Sequence, residues 1–146
     1  MHLTRVEGWQ HLLNQHLIAA PEKYADHGIR WGQFDCCTFA SEWVALATGF
    51  DPISDFRGKY SSQDEAIALL KAKGSGTLLR TLTGIFGESV HPSAALRGDL
   101  AWRKEENALG IIVCIGARQA GVFLGENGFA TLPIKDVDAA FWVGAR

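Results

Sequence analysis

The sequence lacks several features that would place it in a functional class at once. It has three cysteines in 146 residues, two of them adjacent, which is too few for a disulfide framework. No apolar run approaches the ~20 residues that span a bilayer, and no signal-peptide pattern follows the first charged residues. The net charge of -2 also lacks the basic excess typical of nucleic-acid-binding proteins. We therefore expect neither a membrane span nor a nucleic-acid partner.

Apolar residues, by contrast, are abundant. The hydrophobic set makes up 47% of the chain and includes five Trp and eight Phe. Such a chain buries enough apolar surface to offset its ordering entropy, which excludes intrinsic disorder. Its length lies within the ~100–200 residues of one typical core, and no repeat or linker divides it. We expect a single domain over residues 1–146.

The first predicted helix covers Thr4 to Ala20. Its apolar residues recur at spacings of three and four, which leaves one side polar. Thr4 and Glu7 have the spacing of a capping box, so the helix is expected to start near Arg5. Pro21 is expected to end or kink the helix, because proline removes a backbone donor.

Three further helices are predicted. Asp35 is a candidate N-cap and Gly49 a candidate stop for a buried helix over Cys36 to Thr48. Capping signals likewise predict a helix that Ser62 opens and that runs to about Lys73. Apolar residues on one face predict a short helix over Thr77 to Phe86.

The second half of the chain predicts strands. Short runs rich in β-branched or aromatic residues are separated by Gly, Asn and charged residues, which is typical of an antiparallel meander. Helices followed by strands indicate an α+β fold rather than an alternating α/β one. The runs are Leu100–Arg103, Leu109–Ile115, Gly121–Leu124, Phe129–Leu132 and Phe141–Val143.

The cysteine at the start of the second helix is the strongest chemical signal. Backbone donors and the helix dipole at such a position favour thiolate over thiol, as a cysteine nucleophile requires. The alternative is that Cys36 is a small buried apolar residue. We expect Cys37 to serve packing and Cys114 to lie in the core. Adjacent cysteines are too close for the usual two-ligand loop, so neither a metal nor a cofactor is predicted.

Two charged segments are expected to have a structural role rather than to bind a ligand. Arg57 and Lys59 flank a glycine and could bind an anion, but phosphate cradles normally open a helix with several glycines. We therefore favour a loop in which Arg57 bridges Asp51 or Asp55 and Tyr60 packs on the core. Residues 104–107 are expected to form a solvated hairpin tip.

Taken in order, a series of short motifs resembles a family of small phage tail proteins (DUF6950-like) related to the NlpC/P60 cysteine peptidases. The resemblance implies a papain-like α+β fold, with a helical N-terminal half packed on a short antiparallel sheet. The motifs are Trp31-Gly32-x-x-Asp35-Cys36-x-x-Phe39, Thr48-Gly49-x-Asp51-Pro52, Arg57-Gly58-x-Tyr60, Arg97-Gly98-Asp99-Leu100, Ala108-Leu109-Gly110-Ile111 and Ala140-Phe141-Trp142-Val143.

The resemblance also implies a defective catalytic site. Cys36 takes the position of the nucleophile, with Asp35 beside it, but the position of the general-base histidine is held by Ala108. A thiol paired with alanine has no proton acceptor. His27 and His91 remain as weak candidates for a base, since their spacing repeats no known dyad.

Two functions therefore stay open. The first is a structural or assembly component of a phage tail tip, or of a prophage-derived particle, which would contact other tail-tip or baseplate proteins in the virion after synthesis in the host cytoplasm. The second is an active cysteine endopeptidase or amidase that cuts peptidoglycan during genome delivery. Apolar residues in predicted loops favour the first, because an assembly subunit can bury them against a partner. They are Ile29, Trp31, Phe50, Ile53 and Phe56.

Overall fold

The structure, a computed structural model, describes residues 3–144 and has an α+β fold. Four helices precede five strands, as the sequence pattern predicts. The helices are α1 (Trp9–His27), α2 (Cys36–Thr48), α3 (Gln63–Lys73) and α4 (Leu78–Phe86). The strands are β1 (Leu100–Arg103), β2 (Ala108–Ile115), β3 (Arg118–Gly125), β4 (Gly128–Pro133) and β5 (Ala139–Phe141). No helix within the described range is long and apolar enough to cross a membrane.

The strands form one antiparallel sheet in the order β4-β3-β2-β1-β5. The first four strands make the predicted meander. The last strand departs from it, because β5 returns to the other edge and pairs with β1, with Leu100 opposite Phe141. Trp142 and Val143 lie beyond the strand. The Val143 backbone instead bonds to the Asp99 carboxylate and to the Arg5 guanidinium.

The sheet buries a different cluster on each face. Alternate residues of β1 and β2, among them Leu100, Leu109 and Ile111, pack into the main core with the helices, where Phe39 and Trp43 of α2 are fully buried. The intervening residues face a smaller cluster. That cluster consists of Ala95, Ala101, Ile112, Phe123, Val137 and Ala140.

The first helix starts later than predicted. Residues 4–8 are not helical, Gly8 precedes α1 in the left-handed region (φ 79°), and no side chain caps the helix. The expected capping box is absent because tertiary bonds hold this segment. Arg5 bonds to the carbonyl oxygens of Arg97 and Val143, and the backbone N–H of Val6 donates to the Ala47 carbonyl.

The first helix also continues past Pro21 to His27. Of the two effects expected of Pro21, an end of the helix is therefore wrong. A proline inside a helix costs ~3 kcal/mol or more through its missing donor and its ring. Contacts on both sides of Pro21 offset this cost. Ala20 is buried in the main core, and the Tyr24 hydroxyl donates to the Glu126 carbonyl at 2.7 Å.

The other three helices agree with their predicted bounds. Gly49 ends α2 in the left-handed region (φ 78°), and the side chains of Ser62 and Thr77 accept bonds from the first turns of α3 and α4. One expectation for the sheet is wrong. Cys114 is exposed, because the last two residues of β2 extend beyond the core.

Candidate thiol site

Cys36 and Cys37 lie on the wall of an apolar cavity of about 170 Å³. The cavity is enclosed by α2, by the loop before α3, by α3 and α4, and by the starts of β1 and β2. Most of its lining is aliphatic or aromatic, and polar side chains such as Gln63, Glu106 and Asn107 are exposed. Apolar lining residues include Ile53, Phe56, Leu70, Leu78, Leu82 and Leu109. Glu106 and Asn107 both line the cavity, so the predicted hairpin tip also contributes to the cavity wall. Both residues have positive φ (67° and 48°).

Asp35 fixes the start of α2 and is almost fully buried, with 1% of its surface exposed. Its Oδ1 accepts a bond from the Thr38 backbone N–H at 2.9 Å, and the Thr38 hydroxyl accepts one from the Asp35 N–H at 2.7 Å. Its Oδ2 accepts two more, from the Gly32 backbone N–H at 2.8 Å and from the Tyr60 hydroxyl at 2.7 Å. Asp35 is therefore a structural anchor, as its predicted cap position indicates.

The Gly32 position requires glycine. Its φ is +81°, and a Cβ there would lie 2.3 Å from the Tyr60 carbonyl oxygen. The close approach brings the chain at Tyr60 against the loop that precedes Cys36. Burial and the charge of Asp35 raise the pKa of Tyr60, so its hydroxyl stays protonated and remains a donor.

The two thiols act on each other. Their Sγ atoms are 3.9 Å apart. A hydrogen bond from the Cys37 thiol lowers the pKa of Cys36 against the opposing effect of burial, and the backbone N–H of Leu109 bonds to the same sulfur and lowers the pKa further. The pKa of Cys37 is raised well above its ordinary value by the same thiol pair and by burial. Cys36 is therefore the thiol that ionises first.

No imidazole borders this cavity among residues 3–144. His27 is exposed, bonds to the Gly28 carbonyl and contacts the ring of Phe34. His91 is also exposed, and its Nδ1 accepts a bond from the Ser93 backbone N–H. His16 is buried elsewhere, against the carbonyl of Phe39. The structure thus brings Cys36 and Asp35 together, and neither His27 nor His91 lines the cavity at Cys36.

Strand alternation decides which residue of β2 faces the thiol. Leu109 lines the cavity and belongs to the main core, whereas Ala108 packs against the cluster on the other face of the sheet. The cross-strand pairs agree, since Leu109 lies opposite Trp102 and Gly110 opposite Ala101. The β2 side chain that lines the cavity with Cys36 is therefore Leu109 and not Ala108, which sequence reasoning missed.

The third helix covers the cavity without being buried itself. No residue of α3 is buried, although Ala66, Ile67 and Leu70 line the cavity. The apolar residues of the predicted loops are half-buried rather than fully exposed. They are Ile29, Trp31, Phe50, Ile53 and Phe56. Three of them, Trp31, Ile53 and Phe56, line the same cavity.

The structural interpretation of the Arg57 loop agrees with the contacts. Its guanidinium bonds to both carboxylate oxygens of Asp51, at 3.0 and 3.3 Å. Tyr60 packs on the core with 7% of its surface exposed. The Arg57 charge is therefore neutralised within the loop. Within the described part of the chain, no group of three or more His, Cys, Asp or Glu side chains could hold a metal ion.

Comparison with protein families identifies a matching family. A family model described as a domain of unknown function (DUF6950) matches residues 4–143, almost the whole chain. A search of curated proteins finds no match.

Proposed function

We propose that this chain, which belongs to the DUF6950 family, is a binding and assembly component of a bacteriophage tail tip or prophage-derived particle, built on a cysteine-peptidase scaffold that has lost its base. One observation carries the proposal most directly. The cavity wall around Cys36 has no imidazole among the described residues, and β2 presents Leu109 to the sulfur.

The missing base affects both the acylation and the hydrolysis step of peptide cleavage. A cysteine peptidase needs an imidazole to take up the thiol proton, to protonate the leaving amine and to activate water. At Cys36 the groups that stabilise the thiolate are the Cys37 thiol and the backbone N–H groups of Leu109 and Cys37. None of these groups can accept the proton of an attacking water, so the thiol supports no turnover on a peptide bond.

The lining of the cavity also argues against a peptidoglycan substrate. Stem peptides carry charged and amide groups that must keep their hydrogen bonds when buried. The walls beside Cys36 are mainly leucine, isoleucine and phenylalanine side chains. Transfer of a charged peptide into such a cavity would cost several kcal/mol, on the order of the penalty for an unpaired buried polar group.

The retained thiol favours one alternative, an active peptidoglycan-cleaving endopeptidase or amidase. Its support is the lowered pKa of Cys36 at the start of α2. For this alternative, a base would have to come from outside the described residues or from another subunit. The tail-tip assignment itself rests on the resemblance of the motifs around Cys36, Tyr60 and Asp99 to phage tail proteins.

Deletion of the gene from the phage or prophage that encodes it tests this proposal. An assembly component should be present at fixed stoichiometry in purified particles, and its deletion should yield particles with absent or incomplete tail tips by electron microscopy. Particles of normal composition and shape that deliver their genome poorly would instead support the peptidase alternative.

A further inference from the structure

The cavity beside Cys36 has the properties of a binding site for an alkyl chain. Its walls are apolar, whereas the exposed side chains of Gln63, Glu106 and Asn107 border it. Sites of this kind, with an apolar interior and a few polar groups at defined positions, are where proteins hold small apolar ligands. The thiols of Cys36 and Cys37 are the nucleophilic groups on this wall.

The helix above the cavity supplies an independent indication of a ligand. An amphipathic helix normally buries its apolar face against the core. None of the residues of α3 is buried, although Ala66, Ile67 and Leu70 face the cavity. Space therefore remains between α3 and the sheet that an apolar group would fill, and filling it would bury this face of the helix.

We propose that Cys36 accepts a fatty acyl group from an acyl thioester, and that the acyl chain occupies the cavity beneath α3. This inference goes beyond the proposed assembly role and does not depend on it. The Cys36 thiolate attacks the carbonyl carbon of the donor thioester. A new carbon–sulfur bond forms, the bond to the donor sulfur breaks, and the donor leaves as a thiolate that takes a proton from solvent.

Because no described residue around Cys36 can act as a base, the acyl group should persist on the cysteine. Thioester exchange needs only an attacking thiolate and a thiolate leaving group. Hydrolysis of the product needs an activated water, and neither Leu109 nor Cys37 can act as its base. The same geometry that prevents peptidase turnover therefore leaves an acylated Cys36 in place.

Incubation of the purified chain with octanoyl-CoA or acetyl-CoA tests the proposal. The sites and rates of acylation are read by peptide mass spectrometry, and the thioester is identified by its release with hydroxylamine. Cys36 should be octanoylated at least ~tenfold faster than it is acetylated, because burial of two methylene groups already supplies that factor. Cys114 is exposed and serves as an internal control that should react with both donors at similar rates.

Two alanines of α3 offer a matched pair of variants. Ala66 lines the cavity, whereas Ala68 is exposed and does not. Ala66→Phe should fill the space and remove the preference for octanoyl at Cys36, while Ala68→Phe should keep it. Circular dichroism of both variants checks that α3 remains folded.

Several results would overturn the proposal. They are equal rates of octanoylation and acetylation at Cys36, an octanoyl group found on Cys37 or Cys114 only, and an equal loss of preference in the two phenylalanine variants.

Discussion

The Tyr60 hydroxyl donates a hydrogen bond to Asp35 Oδ2 at 2.7 Å, so the end of the loop before α3 is tied to the residue that precedes Cys36. Both side chains are buried. The bond makes the position of the thiol depend on a residue 25 positions further along the chain. Asp35 thereby serves as a helix cap, a loop anchor and a partner of Tyr60 at once.

We predict that Asp35→Asn lowers the free energy of unfolding by ~3 kcal/mol, since it weakens a cap and several charge-assisted bonds. An amide offers one acceptor oxygen where the carboxylate offers two, and Gly32, Thr38 and Tyr60 all donate to this group. Urea unfolding measures the change. Tyr60→Phe removes only one of these bonds and should cost ~1–2 kcal/mol. Equal losses of unfolding free energy in the two variants would contradict the conclusion that Asp35 stabilises the fold through several bonds.

The salt bridge between Arg5 and Asp99 connects the N-terminal segment to the start of the sheet. The two groups are 3.0 Å apart, and the Asp99 side chain is fully buried. We predict that Arg5→Ala costs ~3–5 kcal/mol, because it leaves a buried charge without its main partner. Arg118→Ala, at an exposed position, should change stability by less than ~0.5 kcal/mol. A thermal melt of Arg5→Ala that matches the wild type would contradict this interpretation.

Burial of His16 predicts a loss of stability in acid. Its pKa is lowered mainly by burial, and also by Lys23, while the bond to the Phe39 carbonyl and the charge of Glu42 oppose this shift. The unfolded chain therefore binds the proton more readily than the folded one. Stability should fall as the pH decreases from about 6.5, the ordinary value for histidine, until the lower folded pKa is passed.

Melting temperatures measured between neutral pH and pH ~5 test this prediction, since the slope from one proton is at most ~1.4 kcal/mol per pH unit. His16→Gln keeps an N–H donor for Phe39 but has no titrating ring. The variant should show a flatter pH dependence. An unchanged slope would mean that other groups cause the acid sensitivity.

The orientation of β2 predicts where an introduced base would work. An imidazole at position 109 would enter the cavity beside Cys36, whereas one at position 108 would lie on the other face of the sheet. In a Cys114→Ser background, Leu109→His should raise the rate of Cys36 alkylation at neutral pH at least ~tenfold, as expected for a further fall in thiol pKa of about one unit. Ala108→His should leave the rate unchanged. The opposite order would support the alignment of Ala108 with the base.

Local sequence signals were sufficient to predict the bounds of a helix when the residues that cap both of its ends lie directly beside it. Asp35 and Gly49 predict the bounds of α2 because a carboxylate cap and a left-handed glycine act within one turn of the helix. The bounds of α1 could not be predicted in this way. Arg5, which holds the preceding segment, binds Arg97 and Val143, 92 and 138 residues away.

Part of the candidate site could also be predicted from local sequence signals. Cys36 and Asp35 follow from a short motif, whereas the exposure of Cys114 and the face of Leu109 depend on strand register. A shift by one residue reverses the face of every side chain in a strand. The Asp35–Tyr60 bond links two segments, and neither sequence pattern identifies the other as its partner. Gly32, three residues before the cap, signals that some backbone approaches closely, but it does not identify that backbone as the chain at Tyr60.

We expect that the thiol of this chain does not hydrolyse peptidoglycan. Incubation of the purified protein with muropeptides, followed by chromatography of the released fragments beside a Cys36→Ala control, tests it most directly. Among the described residues no imidazole lines the cavity at Cys36, and we therefore expect that both proteins release no stem peptide. Release by the wild-type protein that disappears in Cys36→Ala would contradict the claim and assign the chain to the active peptidases.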